Sequence, residues 1–125
     1  MSTAREITDY LRDILDATES ATYFVAGMDL DAFAADKKTV FAVVRALEII
    51  GEAAKNVPRS LRTQYYAVPW RDIAGMRDKL THEYFGVNPQ RVFDTVRLDL
   101  PPLRETVVRM LEELGSPQTD SMGYD

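Results

Sequence analysis

The stretch "VFAVVRALEIIGEAAKNVP", Val40 to Pro58, decides the fold. Its residues Val40, Phe41, Val43, Val44, Leu47, Ile50, Ala54 and Val57 return to one face every three to four positions, which is the period of an α-helix burying a stripe. Asp36 is placed to accept hydrogen bonds from first-turn amides, so the helix is predicted to begin near Lys38. Pro58 closes it, because proline lacks an amide hydrogen and disfavours helical geometry in the residue before it. Gly51 costs about 1 kcal/mol relative to alanine in a helix interior, so a neighbouring backbone is expected to approach closely there.

Such a stripe needs partners, and the flanking sequence supplies them in the same pattern. Upstream, Ile7, Tyr10, Leu11, Ile14, Leu15, Thr18, Ala21 and Val25 predict a first helix over Ile7 to about Val25. "GMDLDAFAADKK" then breaks the period, with Asp31 placed to cap a short turn. Downstream, "PRSLRTQYYAVP" reads as a short helix or turn leading into Pro69. A further helix is predicted from Trp70 to Tyr84 on Ile73, Met76, Leu80 and Tyr84, with Gly86 as terminator. Asn88 followed by Pro89 marks another start, cap then first position. Val92, Phe93 and Val96 give its buried face, and Pro101 and Pro102 are expected to kink or restart the chain. Leu103, Val107, Leu111 and Leu114 form a last amphipathic segment. No segment alternates with period two, so the predicted fold is all-α, an up-and-down helical bundle over residues 1–114. The tail "GSPQTDSMGYD", residues 115–125, has little to bury and is read as disordered.

Composition narrows the function. With 46% hydrophobic and 28% charged residues the 125-residue chain reads as one folded domain. It has no cysteine, which excludes disulfides, thiolate metal sites and cysteine nucleophiles. No uninterrupted apolar segment at the amino terminus suits a signal peptide or membrane span, so a cytoplasmic protein is expected. The net charge of -5 argues against a surface that is basic throughout. Its distribution is uneven: residues 1–36 carry two basic side chains against eight acidic ones, whereas residues 58–82 carry five against two.

The only histidine, His82, lies in that locally positive region, in "RDKLTHEYFGVN" (residues 77–88). Asp78, four residues before it, is placed to reach the imidazole, fix its tautomer and favour its charged form. Arg77 and Tyr84 share a face, but His82 is about 140° round the helix from Arg77 on the 3.6-residue repeat. Either the last turn unwinds near Thr81, or two copies of the helix meet and each site draws on both chains. Imidazole, guanidinium and phenol suit cleavage of an RNA phosphodiester, with histidine moving protons near neutrality and arginine holding the phosphate. That route needs no metal, and one histidine with scattered acids does not make a conventional metal site, so no cofactor is expected.

"RDKLTHEY" also matches R-x-x-x-x-H-x-Y, the signature of HEPN ribonucleases. Together with "RALEIIGEAAKNVP", "VPWRDIAGMRDKLTHEYFGVN" and "VRLDLPPL" in that order, it makes the chain resemble the HepT-like toxins over roughly residues 5–114. The resemblance implies a helical homodimer whose two motifs line one cleft and act as a metal-independent endoribonuclease. Arg77 and His82 fall on the catalytic positions, and Tyr84 on the motif tyrosine. It further implies a partner, a minimal nucleotidyltransferase antitoxin of the MntA type, alone or in a larger hetero-oligomer, that inactivates the toxin by transferring AMP to Tyr84. The alternative is a non-catalytic binding module that docks such a nucleotidyltransferase. Of the remaining residues, Arg45 and Glu48 are read as an intrahelical ion pair, Lys79 and Arg71 as a solvated face, and Trp70 as a core anchor. Tyr65 and Tyr66 are weaker candidates for stacking on bases.

Overall fold

The computed structural model of the chain describes residues 3–82 and 88–119, with side chains for 3–76 and 88–115. Helix α1 runs Ala4–Phe24, α2 Leu30–Ala35, α3 Lys37–Lys55, α4 Arg59–Gln64, α5 Trp70–His82, α6 Pro89–Asp94 and α7 Leu100–Thr119, with a π-helical turn, Thr95–Asp99, joining the last two. No strand occurs among the described residues, so the all-α expectation holds.

Local chemistry sets the boundaries. At α1, the Glu6 amide donates to Thr3 Oγ1 at 3.1 Å and the Thr3 amide donates to Glu6 Oε1 at 2.8 Å, a reciprocal cap that the helical period alone did not reveal. After Phe24 the chain turns through Gly27 at φ 78, a left-handed conformation that glycine alone adopts without a Cβ penalty. The cap of α2 is Asp29, which accepts from the Ala32 amide at 2.8 Å. Asp31 therefore lies inside the first turn, where a carboxylate complements the helix dipole, and is not the cap. Asp36 does cap α3, accepting from the Thr39 amide at 3.1 Å. Donation from the Thr39 amide first, and then from its hydroxyl, holds the Asp36 carboxyl below its ordinary value.

Helix α3 stops at Lys55, and Pro58 serves as the residue before α4. Pro69 does the same for α5, its carbonyl accepting from the Ile73 amide at 3.0 Å. Asn88 caps α6 through the amides of Gln90 and Arg91, with Pro89 in the first turn, as the sequence indicated. Pro101 and Pro102 fall in the first turn of α7, where the helix restarts directly from the π turn with no non-helical residue between. The π turn immediately upstream has the wider i to i+5 register, with the Leu100 amide bonding to Thr95, and it accommodates two residues that cannot donate. Helix α7 then continues to Thr119, into the stretch read as tail; residues 120–125 lie outside the described residues.

Helix α1 packs on α3 and on α7, α5 packs on α3, and α2 closes against α6 and α3. One apolar cluster unites them: Leu11, Ile14, Phe33, Val43, Leu47, Ile50, Leu103 and Met110 are fully buried. Each such side chain is worth about 1.5–3 kcal/mol of transfer free energy, an upper estimate. Phe33 of α2 meets Phe93 of α6 with ring centroids 5.3 Å apart, so the short helix is fixed by an aromatic pair. Buried Thr18 is satisfied by donating to the Leu15 carbonyl at 2.7 Å. Among the described residues no helix is long and apolar enough to cross a membrane.

Candidate functional site

Helix α5 is fixed at its start. Trp70 is 5% exposed and its indole N–H donates to the Tyr65 carbonyl at 3.0 Å, so it is a core anchor, as read from sequence. Ile73 and Ala74 are buried one turn later. The backbone stays helical through Thr81 to His82, so Arg77, Asp78 and His82 occupy one continuous helix. Asp78 precedes His82 by one turn, while Arg77 and His82 remain about 140° apart with a rise of about 7.5 Å. An unwound last turn near Thr81 is therefore not what brings them together. Tyr84 and Gly86 lie outside the described residues.

The positive segment around the motif divides into distinct roles. Arg62 Nη2 donates to the Ala54 carbonyl at 2.7 Å and Nε donates to the Val57 carbonyl at 3.0 Å. Its guanidinium thus adds donors where α3 ends, to the Ala54 carbonyl, which also accepts from the Val57 amide at 3.2 Å, and to the Val57 carbonyl just beyond, and serves structure. Only its distance in sequence from those carbonyls hid this. Arg59 and Arg71 are exposed. Arg45 Nη1 meets Glu48 Oε1 at 3.4 Å on α3, the expected intrahelical pair. Tyr65 packs partly against the core, and Tyr66 is 83% exposed.

Two recesses flank these elements. One of about 550 Å³ runs between α5 and α7, walled by Ile73, Met76 and Leu103. Its charged lining, Asp72, Asp99 and Glu105 against Arg109, repels phosphate. The other, about 710 Å³, lies where α3 meets α4 and is lined by Lys55, Arg59 and Arg62. Neither was legible in the sequence, since each joins segments far apart along the chain. No group of three histidine, aspartate or glutamate side chains able to hold a metal occurs among the described residues.

Comparison with known proteins places this geometry. The family model described as "Ribonuclease HepT-like" matches residues 9–110, a span that contains the whole motif. The "Probable ribonuclease HepT" of Thermococcus cleftensis is 48% identical over 100 residues, covering 80% of this chain and 91% of that protein. Two relatives carry the name "Putative RNase". One, of Caldanaerobacter subterraneus, is 44% identical, covering 83% of this chain and 93% of its own. The other, of Methanocaldococcus jannaschii, is 35% identical, covering 94% and 98%. No solved structure gave a significant match. The match spans most of the described bundle and the arginine–histidine motif on α5, and the chain belongs to the HepT-like ribonuclease family.

Proposed function

We propose that this protein is a metal-independent endoribonuclease toxin that acts in the cytoplasm as a homodimer, cutting RNA in a cleft shared by two copies. The observation that carries this reading is the R-x-x-x-x-H-x-Y motif, Arg77 to Tyr84, within the family match, on a helix that is continuous through His82. His82 takes the proton from a ribose 2'-hydroxyl, whose oxygen attacks the adjacent phosphorus, or supplies a proton to the departing 5'-oxygen. The products are a 2',3'-cyclic phosphate and a 5'-hydroxyl, so no water or metal enters this step. Arg77 holds the phosphate with its planar fork and stabilises the charge that develops there. Asp78, one turn before His82, orients the imidazole. Since Arg77 and His82 stand on different faces of one helix, each site takes its arginine and its histidine from different copies.

The partner in this reading is an MntA-type nucleotidyltransferase antitoxin, in a complex with the dimer. The Tyr84 phenol oxygen attacks the α-phosphate of ATP, pyrophosphate leaves, and the attached AMP fills the cleft beside Arg77. The deciding experiment treats purified, unmodified protein and RNA with EDTA. Cleavage with cyclic phosphate ends is expected, and cleavage that starts only when a divalent metal is added would refute the mechanism. Net charge -5 and the acidic recess beside α5 favour a second reading, a binding module that docks the nucleotidyltransferase without cutting RNA. RNA left intact under all metal conditions selects it.

A further inference from the structure

We propose that the RNA strand, beyond the linkage being cut, lies along one face of α5, passing over Gly75 at close range and giving a further phosphate to Arg71. The proposal rests on the catalytic reading of His82 above and adds a substrate subsite which that reading leaves open.

Glycine inside a helix is less favourable than alanine, and it is usually explained by a backbone conformation or a close neighbour that only glycine tolerates. Neither explanation applies to Gly75. Its φ is not positive, and a Cβ built on it would meet no atom within 4 Å among the described residues. The fold of the chain therefore has room for a side chain at this point of α5. What the missing side chain provides is access: a ligand from outside can come close to the helix there.

Helical register indicates which ligand. Gly75 precedes His82 by seven residues, so it stands about 20° from the histidine's line and about 10.5 Å along the axis. Arg71 precedes His82 by eleven, again about 20° from that line, at about 16.5 Å. Arg71, Gly75, Asp78 and His82 thus make one stripe in steps of four, three and four. Arg77, about 120° from Arg71, is not part of it. The acidic recess opens elsewhere, since its lining from α5 is Asp72, Ile73 and Met76. Arg71 is exposed and has no hydrogen bond or ion pair among the described residues, whereas Arg45, Arg62 and Arg104 are each engaged within the chain. An uncommitted planar guanidinium suits a phosphate oxygen pair. A strand with its scissile phosphate at His82 that continues along this stripe meets first a helix surface free of any side chain, then a cation. That order fits a repeating anion, held by its backbone and not by its sequence.

The test titrates a fluorescent single-stranded RNA of about 12 nucleotides with the full chain carrying His82→Ala, so that the RNA stays intact. Circular dichroism and sedimentation check the fold and mass of each variant. Adding Arg71→Ala should raise the Kd at least ~5-fold and flatten its double-logarithmic salt dependence by about 0.7, the slope of one phosphate contact on a single strand. Adding Gly75→Gln instead should raise the Kd at least as much. It should also raise the melting temperature by about 2–5 °C, because glutamine is the better helix former and its Cβ meets open space. An unchanged Kd in either variant would overturn the proposal. So would Arg59→Ala, in the recess beside α4, weakening binding as much as Arg71→Ala, since that would be a general effect of charge. A Gly75→Gln chain of reduced mass would give the notch to a second copy and overturn it too. Cleavage is read separately on chains that keep His82. Wild type that binds RNA with this pattern but never cuts it supports the track and removes the catalytic reading, whereas cutting that ignores both substitutions removes the track alone.

Discussion

Helices α3 and α5 lie against each other and are built on opposite plans. Every turn of α3 contributes buried residues, from Val40 through Val43, Leu47 and Ile50 to Ala54. In α5 the described buried residues, Trp70, Ile73 and Ala74, all fall in the first turn and a half. The sequence that follows, Arg77 to His82, has Leu80 as its only apolar member. The difference teaches a division of labour. Stability is vested along the whole of α3, whereas the described anchor of α5 lies in its first turns and the sequence beyond it is mostly polar.

The largest effect that could break this contrast is catalytic. Arg77→Ala or His82→Ala should lower RNA cleavage at least ~100-fold while leaving the melting temperature near wild type; unchanged cleavage would remove these residues from the site. Mixing the two inactive variants after subunit exchange should restore about a quarter of wild-type activity, because half of random dimers are mixed and each carries one intact composite site. No recovery would return both groups to a single chain.

Next comes the anchored end. Trp70→Ala should cost about 3–5 kcal/mol in urea unfolding, comparable to Leu47→Ala in α3 at about 2–5 kcal/mol. A loss below 1 kcal/mol at Trp70 would mean that α5 is held by something other than its first turns. Arg62→Ala should cost about 1.5–3 kcal/mol, the range for hydrogen bonds to a charged group, because it strips donors from the Ala54 and Val57 carbonyls. Lysine should recover only part of this, since one ammonium cannot reproduce a planar fork; full recovery would reduce the interaction to simple charge.

The smallest effect sharpens the α3 side. Asp36 has a lowered folded pKa, so its contribution is present above the unfolded value of about 3.9 and lost as pH falls through the folded one. The melting-temperature advantage of wild type over Asp36→Asn, which caps without titrating, should therefore shrink between pH 5 and pH 2. An advantage constant across that range would contradict the cap's role.

Much of the bundle was legible because helical period, proline and cap residues act locally. Asp36, Asn88 with Pro89, and the anchor at Trp70 were all readable from near neighbours. Asp31 was mistaken for a cap because Asp29, two residues earlier, satisfies the same chemistry and the sequence alone does not rank them. Pro101 and Pro102 were read as a kink or restart, and α7 does begin at Leu100 beside them; the π turn that joins it to α6 is defined by backbone register, which leaves no compositional trace. The candidate pair Arg77 and His82 was visible as a motif, and its 140° separation followed from helix geometry alone.

What the sequence by itself determined is the set of amphipathic helices, their order and the motif that marks the candidate site, since each depends on spacing along one chain. Only the tertiary structure decided that Arg62 belongs to the end of α3, and that the recess between α5 and α7 is acidic while the one where α3 meets α4 is basic. Those outcomes depend on which groups meet once the helices pack, and burial there is a property of the packed whole.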